Sequence, residues 1–303
     1  MTAGDRAPRR CLLGLDLGGT KLAAALATTE GEILDVRQVP TRAPRGAEQA
    51  LDRALDAGRT LADASNATVA AVGVSTMGIT HEDHVELAPN VPGWHTLALP
   101  ALVRAAFTPA PVQIGNDVKA AALAELTWGE LHGVDSGIYL NVGTGLAAAL
   151  TLGGRVLTGA HEAAGEIGYW LRSRTDGPGA AAGRAPLEEH VAGAGTTARA
   201  ERELGVEGGV AVVATRDDAA AMAFLEDLYD EIGLHLANLA IAFDPERVVV
   251  GGGYAGDADR LLKALRGWLD RCVPFPPQLR LARFQRDAGL AGAVALALQV
   301  YQP

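Results

Sequence analysis

The sequence predicts an α/β protein built from two related domains. Its length of 303 residues exceeds the usual reach of one hydrophobic core. Apolar, β-rich segments alternate with helical periods along it. Two stretches also begin alike: Leu15-Asp16-Leu17-Gly18 matches Leu140-Asn141-Val142-Gly143, and after a one-residue difference both continue Leu-Ala-Ala-Ala-Leu. Each copy is a strand, a glycine turn and a further strand, the pattern of a duplicated unit.

Strands are expected at Leu12–Leu17, Leu22–Ala27 and Glu32–Val39, then a helix over Ala47–Ala64 and a strand over Val69–Val74. A second helix covers Leu97–Phe107. The short strand Val112–Ile114 runs into "GNDVKAAALAELTWGE", where Asn116 or Asp117 caps a helix carrying Ala120 to Glu130. Such strand-to-helix junctions are where α/β proteins keep ligands. The second strand–turn–strand copy follows, then a Gly-, Pro- and Ala-rich loop over Arg172–Arg184 and a mostly helical stretch to Ala242. "ERVVVGGGYAGDADRLLKALRGWL" reads strand, glycine turn, helix, and "AGLAGAVALALQV" closes the chain as a helix.

The formal charge of −10 argues against a surface made for nucleic-acid phosphates. The two cysteines, Cys11 and Cys272, stand far apart and fit a reducing compartment, with neither a disulfide framework nor a cysteine zinc cluster. The basic start is followed by an apolar run that Asp16 interrupts, so no signal peptide is expected. No stretch reaches the roughly 20 apolar residues of a membrane helix, and a cytoplasmic protein without membrane partners is expected.

Glycine lets a backbone approach a ligand closely and reaches positive φ cheaply, so consecutive amides can face a phosphate. In "DLGGTK", Gly18, Gly19 and Thr20 form one such clamp and Lys21 adds positive charge. Asp16 repels the same anion; its natural partner is Mg²⁺, held through water. "NVGTG" offers a second clamp through Thr144 and Gly145. "VVVGGG" offers a third, with Gly252 and Gly253 leading to a helix start that suits phosphate or bare backbone that admits an adenosine. Alone, each would read as a tight hairpin or a packing glycine; three together point to a nucleotide. No "GxxxxGK[ST]" or helix-opening "GxGxxG" is present.

Phosphoryl transfer to an alcohol needs a base at the hydroxyl and cations around the phosphate. Asp117 is the candidate base, with Asn116 beside it to bind neighbouring hydroxyls; the plain alternative is a helix cap. Asn90 in "APNVPGW", Glu166 in "AAGEIGY" and Glu188 in "PLEEH" could line a sugar pocket, against the alternatives of a turn residue, a cap and a solvated acid.

These stretches together resemble the ROK family of sugar kinases, the bacterial glucokinase type within the actin-like ATPase superfamily. "GLDLGGTK", "APNVPGW", "NDVKAAALAE", "NVGTG", "AAGEIGY" and "VVVGGG" occur in the family's order over nearly the whole chain. The resemblance implies a two-domain actin-like ATPase (ribonuclease H-like) fold with a cleft between the domains. Residues 1–115, completed by the helix at 288–303, would form the small domain, and 116–287 the large one. It implies ATP and Mg²⁺ as cofactors, Asp117 as base toward the sugar's 6-hydroxyl, and Asn90, Asn116, Glu166 and Glu188 on the ring hydroxyls with Gly78 as a backbone contact. Many relatives are dimers.

Departures from the family pattern point to an altered substrate. Tyr169 stands where a zinc- and sugar-binding His is usual, and the loop after it has no cysteine, so no structural zinc is expected. Glu162 replaces a usual glycine, Lys119 a frequent Asn, and Ser75 and Met77 sit where "GxPG" is common. Glucose remains the commonest substrate in the family; an amino-hexose such as kanosamine is the other candidate, and N-acetylmannosamine, mannose and fructose are used by further members. Some members are sugar-responsive repressors with an N-terminal helix-turn-helix; about ten residues before the first strand are too few for one. A sugar-binding protein without catalysis is the other rival, opposed by Asp16, Thr20, Asp117 and Thr144.

Overall fold

A computed structural model describes residues 9–88, 91–253 and 257–303. The chain divides into two compact units. One takes the chain up to Thr127, the Gly159–Glu162 turn and Asp287–Pro303; the other takes Trp128–Thr158 and Ala163–Arg286.

In the first unit, β1 (Arg9–Leu17), β2 (Lys21–Ala27) and β3 (Ile33–Pro40) form an antiparallel meander. Helix α1 (Ala47–Ala64) leads to β4 (Ala67–Thr76), the hairpin β5 (Ile79–Thr80) and β6 (Val85–Glu86), then α2 (Leu99–Ala106), β7 (Val112–Asn116) and α3 (Asp117–Trp128). The five-stranded sheet has the order β3-β2-β1-β4-β7, with β1-β4 and β4-β7 parallel. Leu13, Leu15 and Leu17 of β1 face the core shared with α1, whose apolar stripe includes Leu51, Ala54, Leu55 and Leu61.

The opposite face of that sheet carries the C-terminal helix, Ala288–Val300. There Gly14 pairs in register with Gly73. A Cβ on Gly73 would lie 1.9 Å from the Ala293 carbonyl oxygen, and one on Gly14 would lie 2.8 Å from a Val294 methyl. The two glycines therefore make a groove in which the helix backbone lies against the sheet.

The second unit repeats the plan. Strands β8 (Ser136–Val142), β9 (Leu146–Leu152) and β10 (Arg155–Val156) form the meander. Helices α4 (Pro186–Val191), α5 (Gly193–Leu204), α6 (Val210–Val213) and α7 (Ala219–Phe243) follow, then β11 (Arg247–Gly251), α8 (Ala258–Cys272) and β12 (Gln278–Leu281). The order β10-β9-β8-β11-β12, antiparallel on one side of β8 and parallel on the other, matches the first sheet strand for strand. The short internal repeat thus marks a repeated topology.

The loop over 172–184 is held without cysteine. Ser173 and Asp176 form a reciprocal capping box, with Asp176 Oδ2 accepting from the Arg172 and Ser173 amides at 2.7 Å each. Arg172 Nε reaches Glu231 of α7 at 2.5 Å, and Arg184 forks onto Glu189.

Candidate functional site

Two groups of predicted residues are gathered, one in each unit. In the first, Asp16 lies near the end of β1 on the face covered by the C-terminal helix. Ser75, its neighbour in register on β4, donates to Asp16 Oδ1 at 3.1 Å. Gly289 leaves room for it, since a Cβ there would fall 2.5 Å from Asp16 Oδ1. Burial raises the Asp16 pKa to about 6; the Ser75 hydroxyl and the Lys21 charge oppose the shift, and Asp287 adds to it.

Asn116 ends β7, buried, and resolves which residue caps α3. Its Oδ1 accepts from the amides of Val118 and Lys119 at 3.0 and 3.2 Å, and its Nδ2 donates to the Gly78 carbonyl at 2.9 Å. The cap is therefore chiefly Asn116. Most of its amide is committed to the fold, leaving one N–H for a ligand. Asp117 accepts locally from the Val118 amide at 2.9 Å, and its side chain is accessible to solvent. Protein nevertheless crowds around it, and that desolvation, followed by the Asp16 charge, raises its pKa to about 6; Lys119 pulls the other way.

Lys119 and Glu162, both departures from the family pattern, touch. The buried Lys119 Nζ donates to the Glu162 carbonyl at 2.8 Å, and Glu162 itself has φ +58°. No feature of the sequence linked these two positions.

The turn Gly18-Gly19-Thr20-Lys21 closes through the Gly18 amide onto the Lys21 carbonyl at 3.2 Å. Thr41 pins it, its hydroxyl donating to Gly18 O at 2.7 Å and its amide to Thr20 O at 3.0 Å. Positive φ is not what Gly18 and Gly19 supply, contrary to expectation. Close packing explains Gly18, where a Cβ would meet Lys21 O at 2.8 Å. Gly78 does take a positive φ, +88°. Asn90 lies outside the described residues.

In the second unit, the turns Gly143-Thr144-Gly145 and Gly252-Gly253 abut. Gly252, at φ +100°, is the one predicted phosphate-turn glycine that needs the left-handed region; a Cβ there would meet Val142 O at 2.4 Å. Gly193 joins them, its amide donating to Gly143 O at 3.1 Å. Around these backbones lies a cavity of about 480 Å³, lined by Gly143, Thr144, Gly253 and, among others, Thr196, Thr197 and Asp257. Its volume suits a small organic ligand. Sequence reading missed Gly193, Thr196 and Thr197, although "GAGTT" at a helix start is itself a glycine–hydroxyl signal.

Glu166, Tyr169 and Glu188 are electrostatic neighbours. Burial raises the Tyr169 pKa, and the charges of Glu166 and Glu188 add to the shift. Glu188 is not the solvated acid its surroundings in sequence suggested. It is half-buried, its Oε2 accepts from the Leu146 amide at 2.8 Å, and Gly145 and Gly168 leave room for it; burial raises its pKa.

Comparison with known proteins places this geometry. A glucokinase of Streptomyces coelicolor is 30% identical over 94% of this chain and 96% of that protein. An N-acetylmannosamine kinase of Escherichia coli is 33% identical over 94% and 98%. A ROK family glucokinase of Streptomyces griseus, solved with glucose and AMPPNP, superposes with a TM-score of 0.79 at 29% identity, covering 95% of this chain and 99% of that one. The ROK family model matches residues 12–300, and the chain belongs to the ROK family.

Proposed function

We propose that the protein is an ATP-dependent hexose kinase that phosphorylates the 6-hydroxyl of glucose or of an amino-hexose such as kanosamine. The observation that carries this is Asp117: Asn116 takes over the helix cap, and Asp117 is left as an accessible carboxylate with its pKa raised to about 6. A base of that pKa is ionised at neutral pH and still accepts a proton as the alcohol attacks. In the proposed step the sugar oxygen attacks the γ-phosphorus, the bond to the bridging oxygen of ADP breaks, and the hydroxyl proton passes to Asp117.

Asn90, Asn116, Glu166, Tyr169 and Glu188 would bind ring hydroxyls, with Gly78 contributing backbone. Gly18, Gly19, Thr20 and Lys21, together with Thr144, Gly145, Gly252 and Gly253, would hold the nucleotide. Asp16 fits a hydrated Mg²⁺: it is a half-buried carboxylate with Asp287 close enough to raise its pKa, an arrangement that a cation relieves. Such an ion supplies charge neutralisation on the phosphates. The expected division into domains of 1–115 with 288–303 and of 116–287, a homodimer and a cytoplasmic location belong to the same reading. Among the described residues, no helix is long and apolar enough to cross a membrane.

Tyr169 in place of His, beside two glutamates, is what favours a substrate other than plain glucose: carboxylates suit an ammonium substituent. N-acetylmannosamine is the second reading, favoured by the similarity to the Escherichia coli kinase. A coupled ADP-release screen over glucose, its amino and N-acetyl derivatives, N-acetylmannosamine, mannose and fructose tests the proposal. Turnover with at least one hexose is expected; ADP release with none of them, in the presence of Mg²⁺ and ATP, contradicts it.

A further inference from the structure

The β5–β6 hairpin carries a cluster of side chains that phosphoryl transfer does not use. His81 and His84 stack with ring centroids 4.7 Å apart and planes 18° from parallel. Both present Nε2 to one carboxylate: His81 Nε2 lies 3.6 Å from Glu86 Oε2, and His84 Nε2 lies 3.1 Å from Glu86 Oε1. The hairpin itself fixes the spacing, through the His81 amide donating to the His84 carbonyl at 2.9 Å.

Two further observations separate this group from an ordinary surface ion cluster. The Nε2 of His81 is buried and makes no hydrogen bond among the described residues, a rare condition that calls for a partner. On the other ring, His84 Nδ1 sits 2.6 Å from Asp83 Oδ1. Its Nε2 faces Glu86 Oε1 at 3.1 Å, so both ring nitrogens donate to carboxylates here, and a metal ion would take the place of the Nε2 proton while Asp83 keeps the Nδ1 one. A carboxylate behind the far nitrogen is the usual support of a metal-binding imidazole.

We propose that His81, His84 and Glu86 form a binding site for a divalent transition-metal ion of zinc's class, with Asp83 orienting His84 from behind. Ligand atoms about 2.0–2.2 Å from a tetrahedral ion stand about 3.4 Å from one another. The two nitrogen–oxygen distances, 3.1 and 3.6 Å, run to different oxygens of Glu86 and lie near that edge, while the three ligand atoms fall within 4.8 Å of one another, so the side chains must draw together to close on the ion. Two imidazoles select zinc, cobalt(II) or nickel(II) over magnesium and calcium, which prefer oxygen. His84 and Glu86 face solvent, so the remaining coordination position belongs to water and the ion exchanges freely. The site is distinct from the 172–184 loop, where the absence of cysteine argues against a structural zinc.

Titration of the full-length protein with cobalt(II), in excess Mg²⁺ so that carboxylate sites prefer the harder ion, tests this through the visible absorption of tetrahedral cobalt. One equivalent is expected to bind with development of those bands, and zinc should displace it. His84→Ala and Glu86→Gln should each remove the bands while circular dichroism stays native. Asp83→Asn should weaken binding by about tenfold, and His132→Ala, on an unrelated exposed turn, should change nothing. Absence of a saturable one-equivalent signal, or bands that persist in His84→Ala, would overturn the proposal.

Discussion

Burial and then the Asp16 charge raise the cost of ionising Asp117, and Lys119 offsets part of it; for Asp16 burial dominates and Asp287 adds to it. The acidic limb of the pH–rate profile should therefore fall near pH 6, where Asp117 loses its charge, rather than near the 3.8 of a free aspartate. Lys119→Met removes the opposing cation and should move that limb upward, measured as kcat/KM against pH. Stability runs the other way. Carboxyls whose folded pKa is raised hold protons better in the native state, so their stabilising contribution is complete below about pH 3.8 and is lost as pH rises through about 6. Asp16→Asn should flatten this part of the dependence in thermal melts of the metal-free protein. The sequence made Asp16 conspicuous as an acid in an apolar strand beside a glycine turn, and Asp117 as an acid at a strand-to-helix junction. It could not reveal that Asn116 does the capping, because two adjacent capping residues are equivalent until their rotamers are set.

Single side chains decide how whole elements fit. The C-terminal helix approaches the first sheet at backbone distance, and Gly73→Ala would drive a methyl group into the Ala293 carbonyl. A loss of about 1–3 kcal/mol is expected, read as a fall in Tm. Glu162 holds a left-handed backbone conformation at φ +58°, which costs an L-residue about 1–2 kcal/mol, so Glu162→Gly should stabilise the turn even though Lys119 still finds the same carbonyl. In the cysteine-free loop, Asp176→Ala removes the acceptor for two amides. Limited proteolysis between residues 172 and 184 should then become faster. Helix and strand positions were largely readable from hydrophobic period, with ends shifted by a few residues. The β5–β6 hairpin was not, since each of its strands is only two residues long and so too short to show alternation.

At the scale of the molecule, the duplicated meander was legible from a handful of matching letters because both copies use the same strand–glycine-turn–strand sequence to reverse direction. The glycines at 14, 73 and 115 carried no such signal. Their reason is a helix distant in sequence, and only the folded register brings Gly14 opposite Gly73 and Ser75 opposite Gly115. The half-buried setting of Glu188 was hidden for a similar cause: its partner is the Leu146 amide, far away along the chain. Ending the chain at Asp287 would remove Leu290, Val294 and Ala297 and expose the glycine groove and the sheet face that their helix covers, so the first unit should lose its cooperative melt. The central claim rests on Asp117 as the proton acceptor. The most direct test is Asp117→Asn, assayed for ADP release and, by calorimetry, for sugar binding. Turnover should fall by about 10²–10⁴-fold while sugar affinity stays near that of the parent; turnover equal to the parent's would contradict the assignment.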